Sequence, residues 1–423
     1  MSRSAAAWIT GTGAGSLELM IAPLLHPFAP PARPRDAFTT IVRGEGALVY
    51  DDAGHEYIDA VASLWYMNIG YGRQEMADAI AAAAGSLGAF HTFSAFTNEP
   101  AENLAAKIAA LAPQAEPRVF FCSSGSEAVD TAMKLARVAH AQAGAPERVV
   151  VVSRQRAYHG VNYGGTSVSG LPVNQEGFGP FVGSTVAVDP DDLGKMEALF
   201  AAYPGEVAAV IAEPVQGAGG VWPPVDGYLA GLRELCDANG AFLIFDEVIT
   251  GFGRLGTWFG ADRFGVTPDM ITFAKGITSG YIPLGGVVIG TAVRGPLEAD
   301  PDFVLHHGYT YSGHPIAAAA GLKNLEILER EGLLARAGAM ESRLGAGLDR
   351  IGREGRLAEV RGIGGMWGVA TPADVEVAAV VARMRTHGVL ARAAYGNLIL
   401  CPPLVATDDQ LDAILAALDA SLA

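Results

Sequence analysis

Cysteine is nearly absent from this 423-residue chain, and the three present, Cys122, Cys236 and Cys401, stand far apart with no CxxC or other paired spacing. That excludes a disulfide framework and a thiolate metal site and suits a reducing compartment, so the expected location is the cytoplasm. Charge is also sparse, at 17% Asp, Glu, Lys and Arg, and the formal net charge is −16. Such a chain offers no basic face to a phosphate backbone, which excludes nucleic acid as a partner. No stretch reaches the ~18 uncharged apolar residues of a membrane helix. In the opening segment MSRSAAAWITGTGAGSLELM, Glu18 interrupts the small apolar residues, so no signal-peptide core forms. The expectation there is a mobile or partner-docked arm. Lysine is scarce too: five, at 107, 134, 195, 275 and 323, against 24 arginines. Generic surface cations in this chain are arginines, which singles out any lysine in an unusual setting.

What remains is 50% apolar. That composition argues for extensive burial over most of the length. Between about 118 and 290, short apolar runs alternate with helical patterns, the signature of βαβ units and a mostly parallel sheet. The runs are Arg118-Phe121, Val149-Val152, Ala208-Ala212, Ala241-Phe245, Met270-Ala274 and Gly286-Gly290. They read as continuously apolar, as strands covered on both faces do. Helices are expected over Ser126–Gln142, Asp192–Ala202 and Gly227–Ala238, the last stopped by Asn239-Gly240. Outside this block a hairpin turns at Asp51–Gly54. A long helix starts near His314-Pro315 and runs to about Arg330, and helices follow near 333–353, 375–387 and 408–422, with short strands at 357–370 and 397–401. The expected division is an arm and part of a small domain over 1–75, a large central domain over 76–318, and the rest of the small domain over 319–423.

Polar residues gather where these strands end, and open α/β sheets bind their ligands at the carboxyl ends. Ser124 with Glu127 matches the S-x-x-E capping pattern; Gly125 and Ser126 add free N–H groups and a hydroxyl at the positive end of a helix dipole, which suits a phosphate. Asp246 ends the run Ala241–Phe245 and needs a cationic partner, as a structural ion pair or as part of a site. Arg254 in GFGR is read as binding a neighbouring carboxylate or carbonyl. Lys275 follows Met270–Ala274, where an ammonium is costly unless paired, neutralised or snorkelling to water. A dipole cradle, an aromatic at Tyr158, a buried acid at Asp246 and a strand-end lysine are the parts that hold pyridoxal phosphate: the lysine forms a Schiff base with its aldehyde and the carboxylate keeps its pyridine nitrogen protonated. A nucleotide-binding oxidoreductase would need GxGxxG after the first strand, and SSGSEA fails that pattern.

FDEVITGFGRLG followed by DMITFAKGITSGYIPLGG, with SSGSEAVD, AYHG, AEPVQGAGG and HGYTYSGHP in this order, closely resembles the class III aminotransferases, the ω-amino-acid and amine transaminases of PLP fold type I. The resemblance runs from about residue 40 to 420. It implies a large α/β domain with a mostly parallel sheet flanked by helices, a small α+β domain from both chain ends, and a homodimer with active sites at the subunit interface. It also implies that Lys275 is the Schiff-base lysine and proton shuttle and that Asp246 pairs with the pyridine nitrogen. Val248 and Tyr158 would sandwich the ring, and Ser124, Gly125 and Ser126 would hold the phosphate, with Thr310 reaching the phosphate of the neighbouring subunit. Glu213 would order the Asp246 region, and Arg392 would grip a substrate carboxylate and swing away for an uncharged amine. Trp65, Tyr66 and Phe93 would wall an aromatic pocket. One departure bears on substrate: ornithine, acetylornithine and 4-aminobutyrate transaminases usually carry a glutamate after QG, where this chain has Ala218. The implied reaction moves an amino group from a primary amine or ω-amino acid to a 2-oxo acid, pyruvate foremost. The alternatives within the fold are a 4-aminobutyrate/ornithine-type transaminase and an amino-aldehyde aminomutase.

Overall fold

The structure is a computed structural model that describes residues 23–422, so the arm expected over the first twenty or so residues lies outside the described residues. The chain opens with three short strands, β1 (Ile41–Glu45), β2 (Leu48–Asp51) and β3 (Glu56–Asp59), in an antiparallel meander. The β2–β3 hairpin turns where Asp51 dictates: its Oδ1 accepts the backbone N–H of Ala53 at 3.0 Å and of His55 at 2.8 Å, while Gly54 takes φ +87°.

The large sheet has seven strands: β4 (Arg118–Cys122), β5 (Val150–Arg154), β6 (Thr185–Val188), β7 (Val207–Ala212), β8 (Phe242–Asp246), β9 (Met270–Phe273) and β10 (Gly285–Ile289). Their order is β4-β10-β9-β8-β7-β5-β6; β10 runs against both neighbours and the pairs from β9 to β6 are parallel. Every residue of β5, β7, β9 and β10 is buried. That explains why these strands read as apolar runs rather than alternating ones, interrupted only by Ser153 and Arg154 at the end of β5 and Thr272 in β9, each buried Val or Ile adding roughly 1.5–3 kcal/mol. β6 was not anticipated, because a four-residue strand at the sheet edge has a short, partly exposed apolar tract. Neither was β1, whose Ile-Val-Arg-Gly-Glu is almost wholly exposed.

Helices cover the sheet. Gly125–Gln142 lays Ala128, Val129, Ala132, Met133 and Ala136 against it, and Tyr228–Asn239 ends at Gly240, which takes φ +64° as a C-cap. Pro315–Arg330 packs against Gln74–Ser86 and Glu99–Leu111. Among the described residues, no helix is long and apolar enough to cross a membrane.

The C-terminal part adds β11 (Glu359–Ile363), β12 (Met366–Ala370), β13 (Val389–Leu390), β14 (Arg392–Ala394) and β15 (Asn397–Leu400). The last two join β11 and β12 in the order β11-β12-β15-β14, whereas β13 pairs in parallel with β3, so the first and last hundred residues share a sheet. Leu333–Arg353, Val377–Thr386 and Asp408–Ser421 are the helices of this end.

Candidate active site

The carboxyl ends of β4, β7, β8 and β9 open onto one cavity of about 530 Å³. At the end of β4, Ser124 is the N-cap of Gly125–Gln142: its Oγ accepts from the N–H of Glu127 at 3.2 Å. The expected capping box is only half realised, because the Glu127 carboxylate reaches the N–H of Ser123 at 2.7 Å rather than that of the cap. Gly125 and Ser126 line the cavity; Ser124 does not. A Cβ on Gly125 would lie 2.8 Å from Val248 Cγ1, so only glycine allows the helix start and Val248 to come this close. The Ser126 hydroxyl accepts from Val161 N–H at 3.0 Å. The first-turn N–H groups of such a helix have no intrahelical acceptor and point at the cavity end.

Asp246, the last residue of β8, is 4% exposed. Its Oδ2 is 2.7 Å from His159 Nδ1, and its Oδ1 accepts from Val248 N–H and Thr272 Oγ1, both at 3.1 Å. Three groups thus converge on the buried carboxylate: the His159 ring, the Val248 N–H and the Thr272 hydroxyl. Two of them were not singled out from sequence. Thr272 is the one hydroxyl inside the apolar run of β9, and His159 stood unassigned in AYHG. His159 Nε2 is buried and has no partner among the described residues.

Glu213 follows β7 and is 3% exposed; burial raises its pKa. Among the described residues no hydrogen bond joins its carboxylate to Asp246. Its Oε1 accepts from Tyr158 N–H at 3.0 Å and its Oε2 from Gly217 N–H at 2.8 Å. Its hold on Asp246 therefore runs through the loop that carries Tyr158 and His159.

Lys275 begins a short 3₁₀ turn after β9 with φ +47°. Burial pushes its ammonium down to about 8, against the opposing pull of Asp246 and Glu213. Its Nζ lies 5.5 Å from the centre of the Trp65 ring, and the Arg392 guanidinium lies 5.2 Å from that ring. Arg392 is half-buried on β14; its Nε is buried without an acceptor among the described residues, and burial lowers its pKa. Trp65 stands on a strained segment, with positive φ at Ala62, Ser63 and Trp65. Asp59 pins that segment, accepting from the N–H groups of Val61 at 3.0 Å and Ser63 at 2.5 Å and from the Tyr71 hydroxyl at 2.6 Å.

Tyr158, Val248, Ala218, Trp65 and Arg392 thus line the same cavity as Lys275, Asp246 and Glu213. Besides Ser124, three expected residues do not. Phe93 is 43% exposed and packs edge-on to His91, so within this chain it walls no pocket; the 92–97 segment that bears it runs along the surface. Tyr66 lies against Gly280, where a Cβ would come within 2.3 Å of its ring, and takes a hydrogen bond from Ser63 Oγ. Thr310 is exposed and outside the cavity. Arg254, fully buried, is held by carbonyls: Pro402 O at 2.7 Å, Gly365 O and the Asn68 side chain.

A family model described as Aminotransferase class-III matches residues 31–422. The chain is 35% identical over 404 residues to a putrescine–pyruvate aminotransferase of Pseudomonas aeruginosa, covering 89% of this chain and 88% of that protein. It is 37% identical over 348 residues to a β-alanine–pyruvate aminotransferase of the same organism, covering 77% of each. An amine transaminase from an uncultivated Pseudomonas species, solved in its PLP-bound form, is similar with a TM-score of 0.91 at 36% identity, covering 96% of this chain and 99% of that one.

Proposed function

Because the chain belongs to the class III aminotransferases, enzymes that use pyridoxal phosphate, we propose that it is an ω-transaminase moving an amino group from a primary amine or ω-amino acid to a small 2-oxo acid, with pyruvate as acceptor. The residues present fit the cofactor. The glycine at 125 leaves a cradle that a Cβ would fill, a buried carboxylate at Asp246 faces the same cavity, and an amine of lowered pKa stands at Lys275.

In this reading Gly125 and Ser126 hold the phosphate and Ser124 caps the helix behind them. Val248 and Tyr158 would cover the ring, Asp246 would hold its nitrogen, and Lys275 would supply the amine for its aldehyde. When bound, the cofactor supplies an electron sink for the carbon that loses its proton. Asp246, oriented by His159, Thr272 and the Val248 N–H, would pair with the ring nitrogen. Lys275 moves the substrate proton, and a pKa of about 8 leaves part of its amine neutral near physiological pH. Thr310 serves the partner subunit of a homodimer. We place the enzyme in the cytoplasm, where its three cysteines, all free and buried, stay reduced.

The observation that carries the substrate reading is Arg392. It stacks on Trp65 and has no carboxylate partner among the described residues, and Ala218 on the same cavity supplies none. A glutamate there would mark a 4-aminobutyrate or ornithine enzyme; an arginine resting on an aromatic face is free to meet a substrate carboxylate. The test is a half-reaction panel followed by absorbance of the lysine-linked cofactor. An arylalkylamine and β-alanine should bleach it, and pyruvate should restore it far better than 2-oxoglutarate. Bleaching by ornithine alone, with recovery by 2-oxoglutarate, would establish the alternative.

A further inference from the structure

Asn324 sits in the middle of the helix Pro315–Arg330, fully buried, beside buried Leu325, Ile327 and Leu328. An amide in such a place is unfavourable unless its polar atoms are paired. All of them are, and every partner belongs to the turn that begins at Lys275. Nδ2 donates to Gly276 O at 2.8 Å and to Ile277 O at 3.0 Å, and Oδ1 accepts from Ser279 Oγ at 2.6 Å. The Ser279 hydroxyl in turn accepts from Ile69 N–H at 3.3 Å.

The turn needs an external grip. Lys275 and Ser279 have φ of 47° and 48°, and Gly280 follows at 77°. Non-glycine residues stay in that region only where their surroundings impose it. From within, the first residues are closed by two long bonds, Ile277 N–H to Ala274 O at 3.2 Å and Thr278 N–H to Lys275 O at 3.3 Å. We propose that Asn324 is a positioning residue for Lys275: its amide locks the strained turn 275–279 and so holds Nζ in the cavity. This rests on the role given to Lys275 above. The charged and titratable groups facing Nζ are Asp246 on β8, Glu213 after β7, Cys401 after β15 and Arg392 on β14. None stands on the Asn324 helix, so Asn324 acts through backbone geometry rather than charge.

The test uses apoprotein of Asn324→Leu, which keeps the number and branching of side-chain heavy atoms and loses all three bonds. Covalent capture of pyridoxal phosphate is followed by absorbance and borohydride trapping across about pH 6 to 10. Pyridoxamine phosphate, which has no aldehyde, is titrated in parallel by tryptophan fluorescence. Capture should slow roughly tenfold or more, the scale of a misplaced reacting group, and its pH midpoint should move up toward the ordinary lysine range. Affinity for pyridoxamine phosphate should change less than about threefold, because no bond to Lys275 is involved. Ser279→Ala removes one of the three bonds and should shift capture in the same direction by a smaller factor; it decides the matter if the leucine variant fails to fold. Wild-type capture rate and midpoint in a folded variant, or equal losses for the two ligands, would overturn the proposal. Lys275→Ala runs alongside. If it captures the cofactor like wild type, the role of Lys275 falls and this inference with it; if it captures none while Asn324→Leu captures normally, the inference alone falls.

Discussion

His159 Nδ1 lies 2.7 Å from Asp246 Oδ2, and both side chains are sealed from solvent. The pair joins the end of β8 to the loop after β5, and Glu213 holds that loop from the other side through Tyr158 N–H. Asp246 is therefore held in one orientation before any ligand arrives.

If Asp246 keeps the ring nitrogen protonated, Asp246→Asn should retain the cofactor but slow the first half-reaction by at least about 10²-fold, since an unprotonated ring is a poor electron sink. His159→Asn should fall between this variant and wild type. Single-turnover rates with one amine measure both, and an unimpaired Asp246→Asn would refute the role.

Lys275→Ala should bind pyridoxal phosphate through Gly125, Ser126 and Asp246 yet leave it unattached after borohydride reduction, with turnover abolished. Ordinary turnover by this variant would exclude Lys275 as the covalent residue.

The same lysine gives a pH signature. Its ammonium is lowered to about 8 by burial, and only the neutral amine attacks an aldehyde, so capture of pyridoxal phosphate by apoprotein should rise with pH and level off above about 8. Between about 8 and the ordinary value of 10.5, the folded chain binds fewer protons at this site than the unfolded chain. Its contribution to stability therefore increases with pH through that window, by at most about 3 kcal/mol. Denaturant curves of wild-type and Lys275→Met apoprotein at the two ends of the window test this; a constant difference between them would show that the amine is not desolvated.

Gly125→Ala should weaken cofactor binding by about 1–3 kcal/mol, because its Cβ would meet Val248 Cγ1 at 2.8 Å and Cγ2 at 2.9 Å. Val248→Ala in the same chain should restore part of the loss by opening that space. Fluorescence titration of the three proteins with pyridoxamine phosphate gives the comparison, and no recovery in the double variant would place the damage elsewhere.

Arg392→Ala should weaken the half-reaction with alanine or pyruvate by roughly 2–5 kcal/mol in kcat/KM, the cost of removing one partner of a desolvated charge pair. An uncharged arylalkylamine should react much as before. Equal losses for the two substrate types would make Arg392 structural and place the carboxylate elsewhere.

The strands of the large sheet were legible in the sequence to within about two residues, except β6, because burial on both faces demands unbroken apolar runs that polar residues then terminate. The same rule exposed Lys275, Asp246, Glu213 and the Ser124–Ser126 cap, which stand at strand ends or helix starts where local pattern changes. Motif order made the family recognisable. What local pattern does not carry is which separate ends meet. His159 reaches Asp246 across 87 residues and Asn324 reaches Gly276 across 48. Asn324 interrupts an apolar helix face with no mark of what it will touch, and Phe93, expected in a pocket wall, lies at the surface of the single chain. Periodicity encodes whether a side chain is buried, since burial follows from local rise and turn. Its partner depends on the crossovers and on β3 pairing with β13, so only the folded chain decides it.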